Sequence, residues 1–308
     1  MTRPANTCEK KNMKQEAAMS AKPVVKGFWD KPTGSWQYVF HDPETMKGAV
    51  IDPVWDYDPM AAATSLGNAR RILEYVKAEG IEIDWVLDTH PHADHFSAAV
   101  WLAEELGAKR GIGERVRKVQ ALWADIYNTP DLAQDGRQWD HLFAEGETFK
   151  IGNLEVRVML STGHTLASIT YVTGDAAFVH DTLMQPERGT SRADFPGGSA
   201  SELWESIRAI LDLPEETRLF IGHDYPGEGE EPQTGATVAE HRASNKHVKD
   251  GISREEFIET REARDATLPL PKLMLAALQV NIRGGRKPEA EGNGRSYLKI
   301  PLDYFEPR

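Results

Sequence analysis

Thr89-His90-Pro91-His92-Ala93-Asp94-His95 lies between the apolar run Ile83-Asp84-Trp85-Val86-Leu87 and the stretch Phe96-Ser97-Ala98-Ala99-Val100-Trp101-Leu102. The first flank reads as a short buried strand. The second is apolar at helical spacing and closes at Gly107. Three imidazoles and a carboxylate therefore fall on one strand-to-helix turn, from which a short loop can aim them at one point. Imidazole nitrogen and carboxylate oxygen are the ligand set of Zn, Fe and Mn.

Working outward, strands are expected at Trp36–His41 and Gly48–Val54, joined by the turn Asp42-Pro43-Glu44-Thr45. Leu66, Ala69, Leu73 and Val76 predict a helix stopped by Gly80. Beyond the histidine cluster come a strand at Lys109–Ile112, a helix at Val116–Ile126 and a polar connector from Asn128 to Gly146. Val156–Leu160 predicts a strand, Ile169–Val172 and Ala177–Val179 a strand pair, Ser201–Leu211 a helix and Arg218–Ile221 a strand. Residues 226–308 hold loops and helical patches near Arg254–Arg264 and Lys272–Val280. This alternation predicts a layered α/β domain over residues 23–308, with 226–308 as a C-terminal elaboration.

Composition bounds the function. With 40 % hydrophobic and 27 % charged residues, the chain has the make-up of a soluble globular enzyme. A net charge of -12 argues against a nucleic-acid binder, which needs a basic footprint. No apolar run is long enough to span a bilayer. Residues 1–22 are polar, lack the apolar segment of a secretory signal and read as a disordered tail, so a cytoplasmic location is expected. The single cysteine, Cys8, excludes an intrachain disulfide and a multi-thiolate metal site. Thiol chemistry would use sulfur carried by the substrate.

Further candidate ligands end later strands: His164 after Ser161-Thr162-Gly163, Asp181 after Ala177-Phe178-Val179-His180, and His223-Asp224 after Gly222. The set His90-Pro91-His92-Ala93-Asp94-His95, Gly163-His164-Thr165, Asp181 and Gly222-His223-Asp224 resembles the metallo-β-lactamase superfamily in identity and order. That resemblance implies an αββα sandwich with metal at the edge of two facing sheets, here with a C-terminal helical and loop extension.

A finer resemblance is to the persulfide dioxygenase branch related to glyoxalase II. It is carried by Thr190-Ser191-Arg192-Ala193-Asp194-Phe195-Pro196-Gly197-Gly198, His223-Asp224-Tyr225, Val280-Asn281-Ile282-Arg283 and Tyr297-Leu298-Lys299-Ile300-Pro301-Leu302. It implies one Fe(II) per chain on His90, His164 and Asp181, with His92, Asp94, His95 and His223 in the outer shell. It also implies catalytic roles for Asp94, His95 and Tyr225, glutathione binding by Arg192 and Tyr225, and glutathione persulfide and O2 as partners in a homodimer. The alternative is a hydrolase of the glyoxalase II or lactonase type with two Zn, using all seven metal-site residues. Departures stand at His180, Leu166 and Ser191, where relatives often have Gly, Pro and Gly. They are expected to shift loop shape rather than remove a ligand.

Overall fold

The structure is a computed structural model describing residues 22–305. Cys8 and nearly all of the expected tail lie outside the described residues. Lys22 is described, and its ammonium lies 3.2 Å from Asp175.

Two six-stranded sheets face each other. The first runs β1 (Val24–Asp30), β2 (Ser35–His41), β3 (Lys47–Ile51), β6 (Glu82–Leu87), β8 (Lys109–Gly113) and β9 (His141–Phe143). The second runs β10 (Thr148–Ile151), β11 (Leu154–Leu160), β12 (Ile169–Thr173), β13 (Ala176–His180), β14 (Arg218–Ile221) and β15 (Gly235–Thr237). Phe40, Tyr38, Phe178, Tyr171, Phe143 and Leu154 fill the space between the sheets and are nearly or fully buried. Burial of such apolar area, at roughly 25 cal/mol per Å², is the main force holding the layers together.

Helices α1 (Gly67–Glu79) and α2 (Ala99–Leu106) cover the outer face of the first sheet through Ile72, Val76 and Leu102. Helix α4 (Ala200–Leu211) packs Leu203, Ile207 and Ile210 against the second-sheet core. Its start is set by Ser199, whose hydroxyl accepts from the Glu202 amide at 3.2 Å. Helix α3 (Val116–Ile126) packs Trp123 against Met274 and Leu278 of α7 (Met274–Asn281). The αββα sandwich read from the motifs is the observed architecture.

Some elements differ from expectation. The strand expected at Gly48–Val54 is broken after Ile51, because Asp52 takes a left-handed φ of 50°. Val54–Asp58 instead forms β4, which pairs with β5 (Ala63–Ser65) and with β7 (Phe96–Ser97). Phe96 and Ser97 are therefore strand, not the first turn of α2. The C-terminal region is more than an elaboration: β15 adds the last strand to the second sheet, and α5 (Val238–Ser244) and α6 (Arg254–Asp265) follow it.

Candidate metal centre and substrate cavity

Each expected ligand sits just beyond a strand. The turn after β6 carries His90, His92, Asp94 and His95, the loop after β11 carries His164, the end of β13 carries Asp181, and the end of β14 carries His223. His90, His164, Asp181 and His223 are all buried. Such donors have lost hydration and must be satisfied by one another or by an ion.

Hydrogen bonds fix which ring nitrogens face inward. Thr89 donates its hydroxyl hydrogen to Asp52 Oδ2 at 2.7 Å, so its oxygen accepts from His90 Nδ1 at 3.0 Å. His164 Nδ1 donates to the main-chain oxygen of Arg192 at 2.8 Å. Both rings thus present a bare Nε2, the usual arrangement of a metal-binding histidine. These two atoms lie 3.7 and 3.5 Å from Asp181 Oδ2, and His90 Nε2 has no hydrogen-bond partner among the described residues. The three donors fit a metal ion held by two imidazoles and a carboxylate. Burial, with His92, His180 and His164 nearby, keeps His90 neutral and therefore able to ligate.

His92 takes a different course. Its Nε2 lies 3.0 Å from Asp52 Oδ1. Burial opposes charge there, but Asp52 outweighs it and raises the imidazole to about 9. His223 is held between two carboxylates, with Nδ1 2.6 Å from Asp181 Oδ1 and Nε2 2.9 Å from Asp94 Oδ2. Burial again opposes charge, yet Asp181, Tyr225 and Asp94 lift His223 well above the ordinary imidazole range. His95 Nδ1 also bonds Asp94 Oδ2, at 2.8 Å. His223 thus bonds Asp181 itself, while His92 Nδ1 and His95 Nε2 are buried with no hydrogen-bond partner among the described residues, so that His92, Asp94 and His95 form a second group of donors beside the first.

The backbone makes room for these contacts. A Cβ on Gly222 would come within 2.3 Å of Asp181 Oδ1, so only glycine lets β14 pass this close to the carboxylate. His180 occupies φ 42°, the left-handed region that glycine enters without strain and a bulky residue does not. Its buried ring sits 5.0 Å from that of His90, with Nε2 between the hydroxyls of Ser161 and Thr182, each at 3.1 Å. Ser191, another departure, donates to the main-chain oxygen of Asp181. Leu166 packs in the cluster around Trp123.

A cavity of about 680 Å³ opens beside Asp181 and His164, lined by Tyr225, Arg188, Arg192, Lys246 and Arg264 among others. Tyr225 stacks on His223 with ring centroids 5.9 Å apart and is half exposed. Arg192 lines the cavity, but its guanidinium is already engaged. Nε and Nη2 grip Asp194 at 2.6 and 2.9 Å, and Nη1 donates to Pro269 O at 2.7 Å. Three of its five N–H donors are thus held within the protein, in a side chain that lines the cavity. Among the described residues, neither Lys246 nor Arg264 forms an ion pair, so they present cationic charge to the cavity. Asp224 accepts from the Gln233 amide at 2.8 Å, and its other oxygen lies 3.5 Å from Arg188 Nε.

Sequence reasoning missed Asp52 and Ser35. Asp52 has the same signal as the ligands, a carboxylate just past a strand, whereas Ser35 has none. The side chain of Asn281 reaches the histidine turn from α7.

The profile of the metallo-beta-lactamase superfamily matches residues 31–223. A beta-lactamase hydrolase-like protein of Agrobacterium fabrum is 57 % identical, the match covering 94 % of this chain and 67 % of that protein. The chain thus spans about two thirds of that relative. Glyoxylase B2 of Dictyostelium discoideum is 43 % identical over 94 % of this chain and 100 % of its own length. The mouse mitochondrial persulfide dioxygenase ETHE1 is 27 % identical over 89 % of this chain and 94 % of its own. Among solved structures, ETHE1 from Myxococcus xanthus superposes with a TM-score of 0.67 at 31 % identity, covering 85 % of this chain and 100 % of that one.

Proposed function

Because the chain belongs to the metallo-β-lactamase superfamily, a scaffold that hosts many chemistries, its reaction has to be argued from the site, and we propose a non-haem Fe(II) dioxygenase that oxidises glutathione persulfide to sulfite and glutathione. The observation that carries this reading is a buried donor set of two imidazoles and one carboxylate. His90 Nε2, His164 Nε2 and Asp181 Oδ2 face one another, while His92 is turned to Asp52. Two imidazoles and one carboxylate suit iron with open positions, and iron held there would supply the activation of O2 beside the terminal sulfur. The similarity to persulfide dioxygenases supports the same reading.

The overall change balances as follows. One persulfide, one O2 and one water give one glutathione, one sulfite and protons. The S–S bond breaks, and the terminal sulfur loses the four electrons that O2 gains.

The chain's own residues bind and orient. Lys246 and Arg264 attract the carboxylates of the tripeptide at the cavity wall. Tyr225 offers its hydroxyl at the rim. His223 fixes Asp181 through the bond to Oδ1, leaving Oδ2 directed at the two histidines.

The names of more similar relatives, glyoxylase B2 and beta-lactamase hydrolase-like protein, keep hydrolysis on two zinc ions as the rival. A paired assay separates them. Iron-loaded protein is given glutathione persulfide in an oxygen electrode, and zinc-loaded protein is given a glutathione thioester. Oxygen consumption in the first arm with no thioester cleavage in the second supports the proposal; the converse overturns it.

A further inference from the structure

Asp94, Asp181 and His223 carry donor atoms close enough together for a second cation, with His95 beside them. In this chain Asp94 Oδ2 is instead the focus of a hydrogen-bonded knot built around a serine hydroxyl. Ser35 Oγ lies 2.9 Å from Asp94 Oδ2, 3.1 Å from His223 Nε2 and 3.4 Å from His95 Nδ1. Thr33 Oγ1 holds it from behind at 2.7 Å. Ser35 is fully buried.

The main chain that carries the hydroxyl is held on both sides. The Trp36 amide donates to Gly222 O at 2.8 Å, and the Asp224 amide donates to Gly34 O at 2.9 Å. These bonds zip residues 34–36 to residues 222–224 across the sandwich. Gly34 itself takes φ 74°, and a Cβ there would meet the Tyr225 ring at 2.4 Å. The chain is thereby threaded so that residue 35 points at Asp94.

A cation bound at about 2.1 Å from its ligands sets neighbouring donors roughly 3.4 Å apart in a tetrahedral site. Here His95 and His223 approach Asp94 Oδ2 at 2.8 and 2.9 Å, as hydrogen-bond partners do, and the serine oxygen stands among all three.

We propose that Ser35 restricts the centre to a single metal ion, by placing a fixed hydroxyl where the second ion of a two-metal site would lie. The residue is positional: it touches neither the inward-facing donors His90 and His164 nor the cavity. The inference rests on the metal centre of the proposed function, not on its reaction.

The test counts metal in the full-length chain. Apo protein, Ser35→Ala and Ser35→Thr are titrated with Co(II), dialysed and analysed for metal, and EPR is used to detect spin coupling between two ions. Wild type and Ser35→Thr are expected to saturate at one Co(II) per chain. Ser35→Ala is expected to double that stoichiometry and show a coupled pair. Two ions in the wild type, or a single ion in a Ser35→Ala protein of native circular dichroism and melting transition, overturns the proposal. The oxygen-electrode result is separate: one ion per chain with no oxygen consumption refutes the dioxygenase reading and leaves the role of Ser35 standing.

Discussion

The side-chain amide of Asn281 donates to the main-chain oxygen of His95 at 2.7 Å, joining residues 186 positions apart in the chain. The same nitrogen donates to His92 O at 2.7 Å, and Asn281 Oδ1 accepts from the Ser97 amide at 2.8 Å. The C-terminal helix α7 thus ties down the turn that carries most of the centre.

Replacing Asn281 by Ala leaves two buried carbonyls and one buried amide without partners. A net loss of about 3 kcal/mol is expected, on the order of 1 kcal/mol for each hydrogen bond removed. Urea denaturation of apo protein measures it. A change below about 0.5 kcal/mol, the size of an ordinary surface substitution, would show the tie to be inert.

Arg192 and Arg264 line the same cavity, yet they should respond differently. Arg192 secures its loop through Asp194 and Pro269, and its main-chain oxygen orients His164. Arg192→Ala is expected to weaken metal binding roughly 10-fold, the low end for residues that orient a ligand. Arg264→Ala should leave metal binding intact and raise KM for the glutathione substrate, having removed binding remote from the reacting sulfur. Metal titration and steady-state kinetics on both variants check this, and the reverse pattern would return the carboxylate grip to Arg192.

Gly222→Ala should be worse than its size implies. The added methyl lies 2.3 Å from Asp181 Oδ1 and must displace that carboxylate or the strand. Loss of most bound metal with the fold retained is expected by elemental analysis and circular dichroism. Full metal content would mean the carboxylate tolerates the shift.

His241 gives a pH signature away from the centre. Burial lowers its pKa from 6.5 to about 4. The folded state favours the neutral ring, so its stabilising contribution is complete above about pH 6.5 and falls away as pH drops towards 4. At about 1.4 kcal/mol per unit, the loss between those limits approaches ~3 kcal/mol. Denaturant titrations at pH 7 and pH 4.5 should differ less in His241→Gln than in wild type, and equal differences would assign the acid sensitivity to other groups.

Much of the site was legible because each ligand follows a strand, and strand ends on one edge of a sandwich converge. His90, His164, Asp181 and His223 were readable in this way, as were α3 and the β12–β13 hairpin. Edge strands β1 and β5 carry partly exposed residues and lack a clean apolar alternation, so the pattern passed over them. The contacts of Asn281 and Ser35 depend on segments brought together from across the chain, which no local spacing encodes. The bonds of Arg192 to Asp194, two residues on, likewise follow from the loop's conformation rather than from any spacing.

The central claim is tested most directly by the stoichiometry of oxygen and sulfite. Protein loaded with one iron per chain is mixed with glutathione persulfide in a closed oxygen electrode, and sulfite is quantified in the same sample, with His164→Ala as the control. The account predicts one O2 consumed per sulfite formed and neither change in the control. Sulfite-free mixtures with no oxygen uptake by the iron-loaded wild type would contradict it.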